Sequence, residues 1–422
     1  MTVATPDPKF RDSRERWADA LMGNYGVPPL TFVRGSGTEL FDDTGKRYLD
    51  FLCGLAVTGL GHAHPRVAAA LTEQASTLLH VSNLFVTEPQ LEVAERLDAL
   101  VRSGTGQATP GRVLFQNSGA EANEAAMKLA RKYHGRGRHG VLAAFRSFHG
   151  RTLATLAATG QPEKHEPFQP LPEGFRHAAW NDVAAFEAAL DPSVGAILLE
   201  PLQGEGGVNP ADTAFLQGVR RLCDERGMLL IIDEVQTGLG RTGEWFGFQH
   251  AGIVPDVVTM AKGLGNGVPI GAVWATADVA AAFGPGDHGS TFAGQPLAAA
   301  GAREVLRIME EMDAPRKARE RGAELTVLLE AIPGVSSVRG LGLLLGVELD
   351  PAALAGRTAG EVARACLAAG LVVNGVTPTA LRLAPPMTIS SDELVEGVGI
   401  LAGVLADGSA FDDGTTESGG HS

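Results

Sequence analysis

The chain has 422 residues, of which 44% are hydrophobic, and a formal net charge of −14. Its length exceeds the size at which one hydrophobic core stops growing, so we expect two domains. The acidic balance and the lack of a Lys/Arg block argue against a nucleic-acid surface, and no apolar run is long enough for a membrane span.

The N-terminus and the cysteines indicate the compartment. Residues 1–16 are polar and mixed in charge, without the apolar core of a signal peptide. The three cysteines are scattered along the chain, at Cys53, Cys223 and Cys366. An odd, scattered set favours a reducing cytoplasm without a disulfide framework. No metal is expected, because His62 and His64 have no neighbouring cysteine or acid to complete a ligand set.

In chain order, the first forty residues are predicted to be irregular, and residues 39–51 to form a hairpin. Residues 65–79 have the apolar spacing of a helix. From about residue 112 to 279, short apolar strands alternate with helical patterns, which is typical of a mostly parallel sheet covered by helices. The clearest strands are residues 113–115, 141–144, 196–199, 229–232, 257–260 and 271–275.

The C-terminal part has an α+β pattern. Helices are predicted at 297–312, 323–331 and 358–369, and strands within 335–349 and at 371–373 and 381–383. The stretch at residues 407–422 has almost no apolar residues, so we expect it to be disordered. The predicted divisions are an N-terminal segment that joins a small domain (1–70), a large domain (71–310), the C-terminal small domain (311–405) and a disordered tail (406–422).

Two apolar runs end in charged residues. Residues 229–232 precede Asp233, and residues 257–260 precede Ala261 and Lys262. Such runs are typical of buried parallel strands, and sheets of such strands bind ligands at the carboxyl ends of the strands. An acid and a lysine at one edge suit a pyridoxal 5′-phosphate (PLP) enzyme: the lysine holds the aldehyde as a Schiff base and the acid keeps the pyridine nitrogen protonated. Taken singly, the lysine could be a solvated loop residue and the acid a helix cap.

Three further segments follow predicted strands. Ser118, Gly119 and Ala120 precede a helical stripe, where backbone N–H groups can bind phosphate; alternatively, Ser118 is only an N-cap. Phe148 and Arg151 offer a ring to stack on a planar cofactor and a fork for a carboxylate. The acids of residues 200–207 could be capped loop residues, or could neutralise an arginine in the site.

Residues 238–243, Gly-Leu-Gly-Arg-Thr-Gly, match the dinucleotide-binding pattern letter for letter. They are followed by an aromatic, glycine-broken stretch instead of a helix, and no acid ends a second strand about 20 residues later. The sequence therefore argues against NAD or FAD.

Five blocks of the sequence resemble the signature segments of class III aminotransferases, in order and with family-like spacing. The blocks are residues 148–152, 200–207, 233–238, 260–265 and 290–298. The resemblance runs from about residue 40 to 400. It implies an α/β, fold-type I PLP-dependent transferase, with a mostly parallel seven-stranded sheet covered by helices and a smaller α+β domain from both chain ends.

The resemblance also implies cofactor roles. Lys262 would be the covalent lysine and proton shuttle, and Asp233 the acid on the pyridine nitrogen. Gln236 would hydrogen-bond the phenolic oxygen. The other cofactor residues would be Val235 and Phe148 on the ring faces, Ser118, Gly119 and Ala120 on the phosphate, and Thr291 on the phosphate of the neighbouring subunit. A homodimer with shared active sites follows from the last role.

For substrates, the resemblance implies that Arg151 takes the α-carboxylate of the ω-amino donor and Arg382 that of glutamate. Glu205 would pair with Arg382 when glutamate is absent. Leu55 stands where ornithine-specific relatives have a tyrosine, which suits a donor with an acylated α-amino group. Ser290 is also placed on the substrate side.

Residues 50–65, 80–85 and 222–225 are most similar to enzymes acting on N-acetylornithine. The implied reaction converts N2-acetyl-L-ornithine and 2-oxoglutarate to N-acetyl-L-glutamate 5-semialdehyde and L-glutamate, in arginine biosynthesis. Alternatives within the class act on ornithine, 4-aminobutyrate, N-succinylornithine or N-succinyl-diaminopimelate. A PLP mutase or racemase and a non-catalytic binding module on the same scaffold are more remote alternatives.

Overall fold

The computed structural model describes residues 12–106 and 110–407. The N-terminal part contains short elements followed by two longer helices: α1 (Ser13–Ala20), β1 (Phe32–Ser36), β2 (Glu39–Asp42), β3 (Arg47–Asp50), α2 (Cys53–Ala56), α3 (Pro65–Thr77) and α4 (Glu88–Arg102). The predicted hairpin is confirmed, since β2 and β3 pair antiparallel. The prediction that the first forty residues are irregular is wrong. The carboxylate of Asp12 caps α1, and β1 pairs with β2.

The central part alternates strands and helices. Its elements are β4 (Arg112–Gln116), α5 (Gly119–His134), β5 (Gly140–Ala144), α6 (Leu153–Ala158), β6 (Phe175–Ala178), α7 (Val183–Ala188), β7 (Val194–Leu199), β8 (Leu202–Gln203), β9 (Asn209–Pro210), α8 (Thr213–Arg226), β10 (Leu229–Asp233), β11 (Val257–Met260), β12 (Gly271–Ala275), α9 (Ala277–Ala280) and α10 (Pro296–Glu311).

Seven of these strands form the main sheet, in the order β4-β12-β11-β10-β7-β5-β6. The pairs from β6 to β11 are parallel, and β12 is antiparallel to both of its neighbours. The six predicted strands are therefore confirmed within a mostly parallel sheet. Side chains of β5, β7, β10, β11 and β12 are buried throughout, because helices cover both faces.

The C-terminal part is the expected α+β region. Its elements are α11 (Ala314–Glu330), β13 (Val335–Leu341), β14 (Leu344–Leu349), α12 (Pro351–Leu354), α13 (Ala359–Ala369), β15 (Leu371–Val372), β16 (Asn374–Gly375), β17 (Ala380–Leu383) and α14 (Ser391–Asp407). Helix α11 begins earlier than predicted, since Asp313 caps its first turn and Ala314, Pro315 and Ala318 are buried. The predicted disordered tail, apart from its first two residues, lies outside the described residues.

The two ends of the chain meet in one sheet. Strand β15 pairs parallel with β3, with Leu371 opposite Leu49, and completes a four-stranded sheet with β1 and β2. Strands β13, β14, β17 and β16 form a second four-stranded sheet. These pairings support a small domain built from both chain ends, and the exact domain boundaries stay a prediction. In the part of the chain that the structure describes, no helix has both the length and the apolarity needed to cross a membrane.

A strained turn, α2, lies between the small sheet and the main sheet. Its four residues, Cys53, Gly54, Leu55 and Ala56, have φ values from 53° to 71°, in the left-handed region. Non-glycine residues adopt this conformation rarely, and such strain concentrates at ligand sites. Val57, the next residue, lines the cavity described below.

Candidate active site

The polar segments that follow the strands of the main sheet surround one cavity of about 400 Å³. The lining residues include most of the side chains predicted for cofactor and substrate: Ser118, Gly119, Ala120, Phe148, Arg151, Glu205, Asp233, Val235, Gln236 and Lys262. They come from the carboxyl ends of β4, β5, β7, β10 and β11, because parallel strands deliver their following loops to one edge. The structure thus brings these distant segments together.

Asp233 ends β10 and lies at the base of the cavity, 4% exposed. Its Oδ2 accepts a hydrogen bond from Asn123 Nδ2 at 2.7 Å and lies 2.8 Å from His149 Nδ1. Its Oδ1 accepts the backbone N–H of Val235 at 3.0 Å. The carboxylate is therefore held rigidly, as an acid that pairs with a fixed cation requires.

Lys262 follows β11 and also lines the cavity, in a left-handed conformation with φ of 41°. Burial and, to a lesser extent, the positive charge of Arg382 together lower the pKa of its amine to about 8, against the charges of Glu205, Asp233 and Glu200. A neutral amine is the nucleophilic form. The site therefore favours a reactive lysine near neutral pH.

Glu200 is a second buried acid in the cavity wall. Burial and the charge of Asp233 raise its pKa well above the usual value, although the backbone N–H of Phe148 donates to Oε2 at 3.2 Å. Glu200 therefore holds its proton more tightly than a solvent-exposed glutamate does. Perturbed acids and a perturbed lysine in one cleft are typical of a catalytic site.

The start of α5 forms one end of the cavity. Ser118 is the N-cap, and its Oγ accepts the N–H of Glu121 at 3.2 Å. Gly119 packs so closely on Val235 that an added Cβ would lie 2.8 Å from Val235 Cγ1. The first N–H groups of a helix have no intrahelical partner, so this end of the cavity suits a phosphate. The N-cap and anion-site interpretations of Ser118 are thus compatible.

Two arginines are associated with the cavity. Arg151 lines the cavity, and its Cζ lies 5.7 Å from the centroid of the Phe148 ring. Arg382, on β17, is 1% exposed and donates from Nη1 to Glu205 Oε1 at 2.6 Å. Its Nη1 also lies 3.5 Å from Gln236 Oε1. One arginine in the lining and a second one bonded to lining residues suit substrates that carry carboxylates.

Unpartnered buried atoms test whether the predicted cofactor and substrates fit. Gln236 Nε2 and Arg382 Nη2 are buried and have no hydrogen-bond partner among the described residues. Buried donors without partners are costly, so ligand oxygens are expected opposite them. The phenolic oxygen of PLP would suit Gln236, and a substrate carboxylate would suit Arg382. The residues present therefore fit the cofactor.

Besides Arg382, three predicted residues lie outside this lining. Leu55 is 41% exposed, in the left-handed turn α2 beside the cavity residue Val57. Ser290 Oγ lies 2.8 Å from Asn117 Nδ2, next to the phosphate end of the cavity and not at the arginine end. Thr291 is exposed and does not line the cavity of its own chain. Their predicted roles stay predictions.

Sequence reasoning gave no role to His149 or Asn123, although both bond Asp233. A signal was present for Asn123, since it is a polar residue among apolar ones on the buried face of α5. His149 lies inside the block of residues 148–152, which the sequence analysis singled out for its neighbours Phe148 and Arg151. The two histidines first considered for metal do not form a ligand set: within the described ranges, no three His, Cys, Asp or Glu residues are placed to hold an ion.

Comparison with known proteins identifies the family. The sequence model of the class-III aminotransferases matches residues 22–405 of this chain. This chain belongs to the class-III aminotransferases. The acetylornithine aminotransferase of Corynebacterium efficiens is 49% identical over 407 residues, which cover 94% of this chain and 97% of that protein.

Two solved aminotransferase structures are similar to this chain over most of its length. The N-acetylornithine aminotransferase of Stenotrophomonas maltophilia is 36% identical, with a TM-score of 0.77 over 91% of this chain and 98% of that one. An ornithine aminotransferase from Toxoplasma gondii, with PLP at partial occupancy in its active site, is 32% identical, with a TM-score of 0.85 over 93% of each chain. The predicted fold class, a fold-type I transferase, is thereby confirmed.

Proposed function

We propose that this class-III aminotransferase is PLP-dependent and converts N2-acetyl-L-ornithine and 2-oxoglutarate to N-acetyl-L-glutamate 5-semialdehyde and L-glutamate, in arginine biosynthesis. The observation that carries the proposal is one cavity lined by Asp233, Lys262 and Arg151, with a second arginine, Arg382, paired to the lining residue Glu205. The extensive identity to acetylornithine aminotransferases supports it.

When bound, PLP supplies an electron sink for the carbon that loses a proton. Asp233 would pair through Oδ1 with the pyridine nitrogen and hold its proton. Lys262 Nζ would bond the cofactor aldehyde and, once released, carry a proton to and from the substrate carbon. Val235 and Phe148 would pack on the two ring faces, and Ser118, Gly119 and Ala120 would hold the phosphate. These assignments rest on the position of each side chain in the cavity wall.

The substrates would alternate in one site, as in ping-pong kinetics. Arg151 would bind the α-carboxylate of acetylornithine, while Glu205 keeps Arg382 occupied. With 2-oxoglutarate or glutamate, Arg382 would bind the α-carboxylate and Arg151 the side-chain carboxylate. The pairing of Arg382 with Glu205 at 2.6 Å supports this alternation.

The choice of donor rests on Leu55. Its apolar side chain is 41% exposed and stands two positions before the cavity residue Val57 in the chain. An apolar neighbour disfavours a free α-ammonium group and tolerates an uncharged acyl-amide. We therefore place N-acetylornithine before ornithine. Succinylated donors carry a further carboxylate, and they are the nearest alternative.

We also propose a homodimer in which Thr291 binds the phosphate of the partner subunit's cofactor. The exposure of Thr291 and of its neighbours supports this: Phe292 is 61% exposed, and Leu84 and Phe85 are 84% and 68% exposed. Clustered exposed apolar residues mark association surfaces. Cytoplasmic location stays part of the proposal, and the three buried, unpaired cysteines support a reducing compartment.

The proposal is tested with the purified protein loaded with PLP. Single-turnover rates would be followed by the visible absorbance of the cofactor, with acetylornithine, ornithine, succinylornithine, succinyl-diaminopimelate and 4-aminobutyrate as donors. We expect the highest kcat/KM for acetylornithine. A higher value for another donor would reassign the substrate within the family. No absorbance change with any donor or with glutamate would contradict transamination itself.

A further inference from the structure

Asn123 is a buried amide in the wall of the candidate active site. It lies on α5, 1% exposed, among buried residues that are otherwise apolar. Its Nδ2 donates to Asp233 Oδ2 at 2.7 Å and to the backbone oxygen of His149 at 2.8 Å. Its Oδ1 accepts the hydroxyl of Thr259 at 2.7 Å. Both N–H groups and the carbonyl of the amide are therefore in use.

This arrangement fixes which way the amide faces. If the amide were turned over, its oxygen would face two oxygens that only accept, Asp233 Oδ2 and the carbonyl of His149. Thr259 reinforces the observed orientation by donating to the amide oxygen. Thr259 is fully buried on β11 and stands opposite Asp233 in the ladder between β10 and β11. One unit therefore joins the acid, the helix that begins at the phosphate end, and the strand that leads to Lys262.

The arrangement also determines which carboxylate oxygen is free. Oδ2 of Asp233 is surrounded by the Asn123 amide and the His149 ring. Oδ1 has the backbone N–H of Val235 and keeps a lone pair for a further donor. Unlike an arginine or lysine, a neutral amide holds the carboxylate without cancelling its charge. The charge stays available to a cation in the cavity.

We infer that Asn123 and Thr259 are positioning residues for Asp233, which hold its Oδ2 so that Oδ1 faces the pyridine nitrogen of PLP. Neither residue touches the reacting atoms. Thr259 acts on Asn123, and Asn123 acts on the acid. The inference rests on the proposed function, because it assigns the free oxygen to the cofactor that the proposal places there.

A matched pair of variants tests the inference. Thr259→Val keeps the shape of the side chain and removes the hydroxyl, and Thr259→Ser keeps the hydroxyl. The measurement is the dissociation constant of the apo protein for PLP and for an analogue whose ring nitrogen is replaced by C–H. We expect Thr259→Val to weaken the binding of PLP by up to about tenfold, the scale of one hydrogen bond between neutral groups. Thr259→Ser should stay near the wild type, and the analogue should bind all three proteins alike.

The analogue separates positioning from general packing, since it has no ring nitrogen for Asp233 to bind. Equal weakening of PLP and of the analogue by Thr259→Val would overturn the inference, and so would unchanged PLP binding. Asn123→Leu serves as a second variant if Thr259→Val fails to fold, as judged by thermal unfolding of the apo protein. We expect Asn123→Leu to lose the preference for PLP over the analogue.

The wild-type protein distinguishes this inference from the proposed function. It must bind PLP and show an absorbance change on addition of glutamate. A wild type without that change would refute the aminotransferase proposal, whatever the variants do. A wild type with that change, and variants that keep the full preference for PLP over the analogue, would refute the positioning role alone.

Discussion

Glu205 Oε1 lies 2.6 Å from Nη1 of the almost fully buried Arg382. Burial opposes the charge on Glu205, but the guanidinium of Arg382 outweighs it, and the pKa of the carboxyl is lowered. Arg382 Nη2 has no hydrogen-bond partner within the described part of the chain. Nε donates to Asn374 Oδ1 at 3.3 Å, so the arginine is satisfied on two of its nitrogens and open on Nη2. Such a pair can exchange a protein carboxylate for one from a substrate.

The first prediction concerns this exchange. Arg382→Lys should slow the glutamate half-reaction by about tenfold to a hundredfold and leave the acetylornithine half-reaction within a fewfold, because lysine cannot reproduce the fork. Single-turnover rates for each half-reaction, read from the cofactor absorbance, provide the measurement. If Arg382 only ties the β17 sheet to the main sheet, both half-reactions and the thermal midpoint should fall together.

The second prediction uses the other partner. Glu205→Gln removes the charge that competes for Arg382 and keeps the size of the side chain. We expect the ratio of ornithine to acetylornithine turnover to rise, because a free Arg382 can bind the α-carboxylate of a donor presented through its α-amino group. An unchanged ratio, with wild-type stability, would mean that Glu205 does not control access to Arg382.

Much of the fold could be predicted because its strands are buried on both faces. Runs such as residues 229–232 are continuously apolar, and they end where the sheet meets its ligands. Strand β6, Phe-Arg-His-Ala, was missed because it is a half-exposed edge strand without such a run. Helix α1 was missed because it buries none of its residues.

The sequence predicted those site residues that closely follow a buried strand, such as Asp233 and Lys262. The side chains that hold the site residues in place could not be predicted from the sequence. The contact of Asn123 with Asp233 spans 110 positions, and that of Glu205 with Arg382 spans 177. Periodicity describes only neighbours along the chain. The left-handed turn at residues 53–56 was also hidden, since three of its four residues are not glycine.

The third prediction concerns Lys262. Because burial and the charge of Arg382 lower its pKa to about 8, its neutral fraction rises between pH 7 and 9. The rate at which PLP reloads the apo protein should rise over that range and then level off. Arg382→Gln should move the midpoint to higher pH, and Glu205→Gln should move it to lower pH. A midpoint that neither variant moves would show that these charges do not act on the lysine.

The fourth prediction concerns the partner subunit. Lys262→Ala and Thr291→Ala proteins should each have low activity, and mixed dimers should recover up to one competent site per dimer. That site would take Lys262 from one subunit and Thr291 from the other. Activity of the mixture, with hybrid dimers separated by a charge tag, is the measurement. Thr291→Ser is the control that keeps the hydroxyl. Separated hybrids without recovery would place Thr291 outside the partner's site.

The last prediction concerns Glu234, a buried acid next to Asp233 that lines no part of the substrate cavity. Its Oε1 accepts the N–H of Phe248 at 2.9 Å, and Thr237 donates to Oε2. Burial raises its pKa to about 7, against the hydrogen bonds from Thr237 and Phe248. The folded protein therefore binds this proton more tightly than the unfolded chain does.

The sign of the pH effect follows from that difference. Below the unfolded pKa of 4.5 the acid is protonated in both states, and its favourable contribution is fully present. Between pH 4.5 and 7 the unfolded chain ionises while the folded protein keeps the proton. The contribution to the free energy of unfolding therefore falls over this interval, by up to about 3 kcal/mol, and is lost once the pH has risen through 7. Glu234→Gln keeps an acceptor for Phe248 and does not ionise. The free energy of unfolding of the variant relative to the wild type should therefore rise from pH 4.5 to 7.5, as measured by denaturant titration of the apo proteins. A difference that stays constant over this range would show that Glu234 does not titrate with a raised pKa.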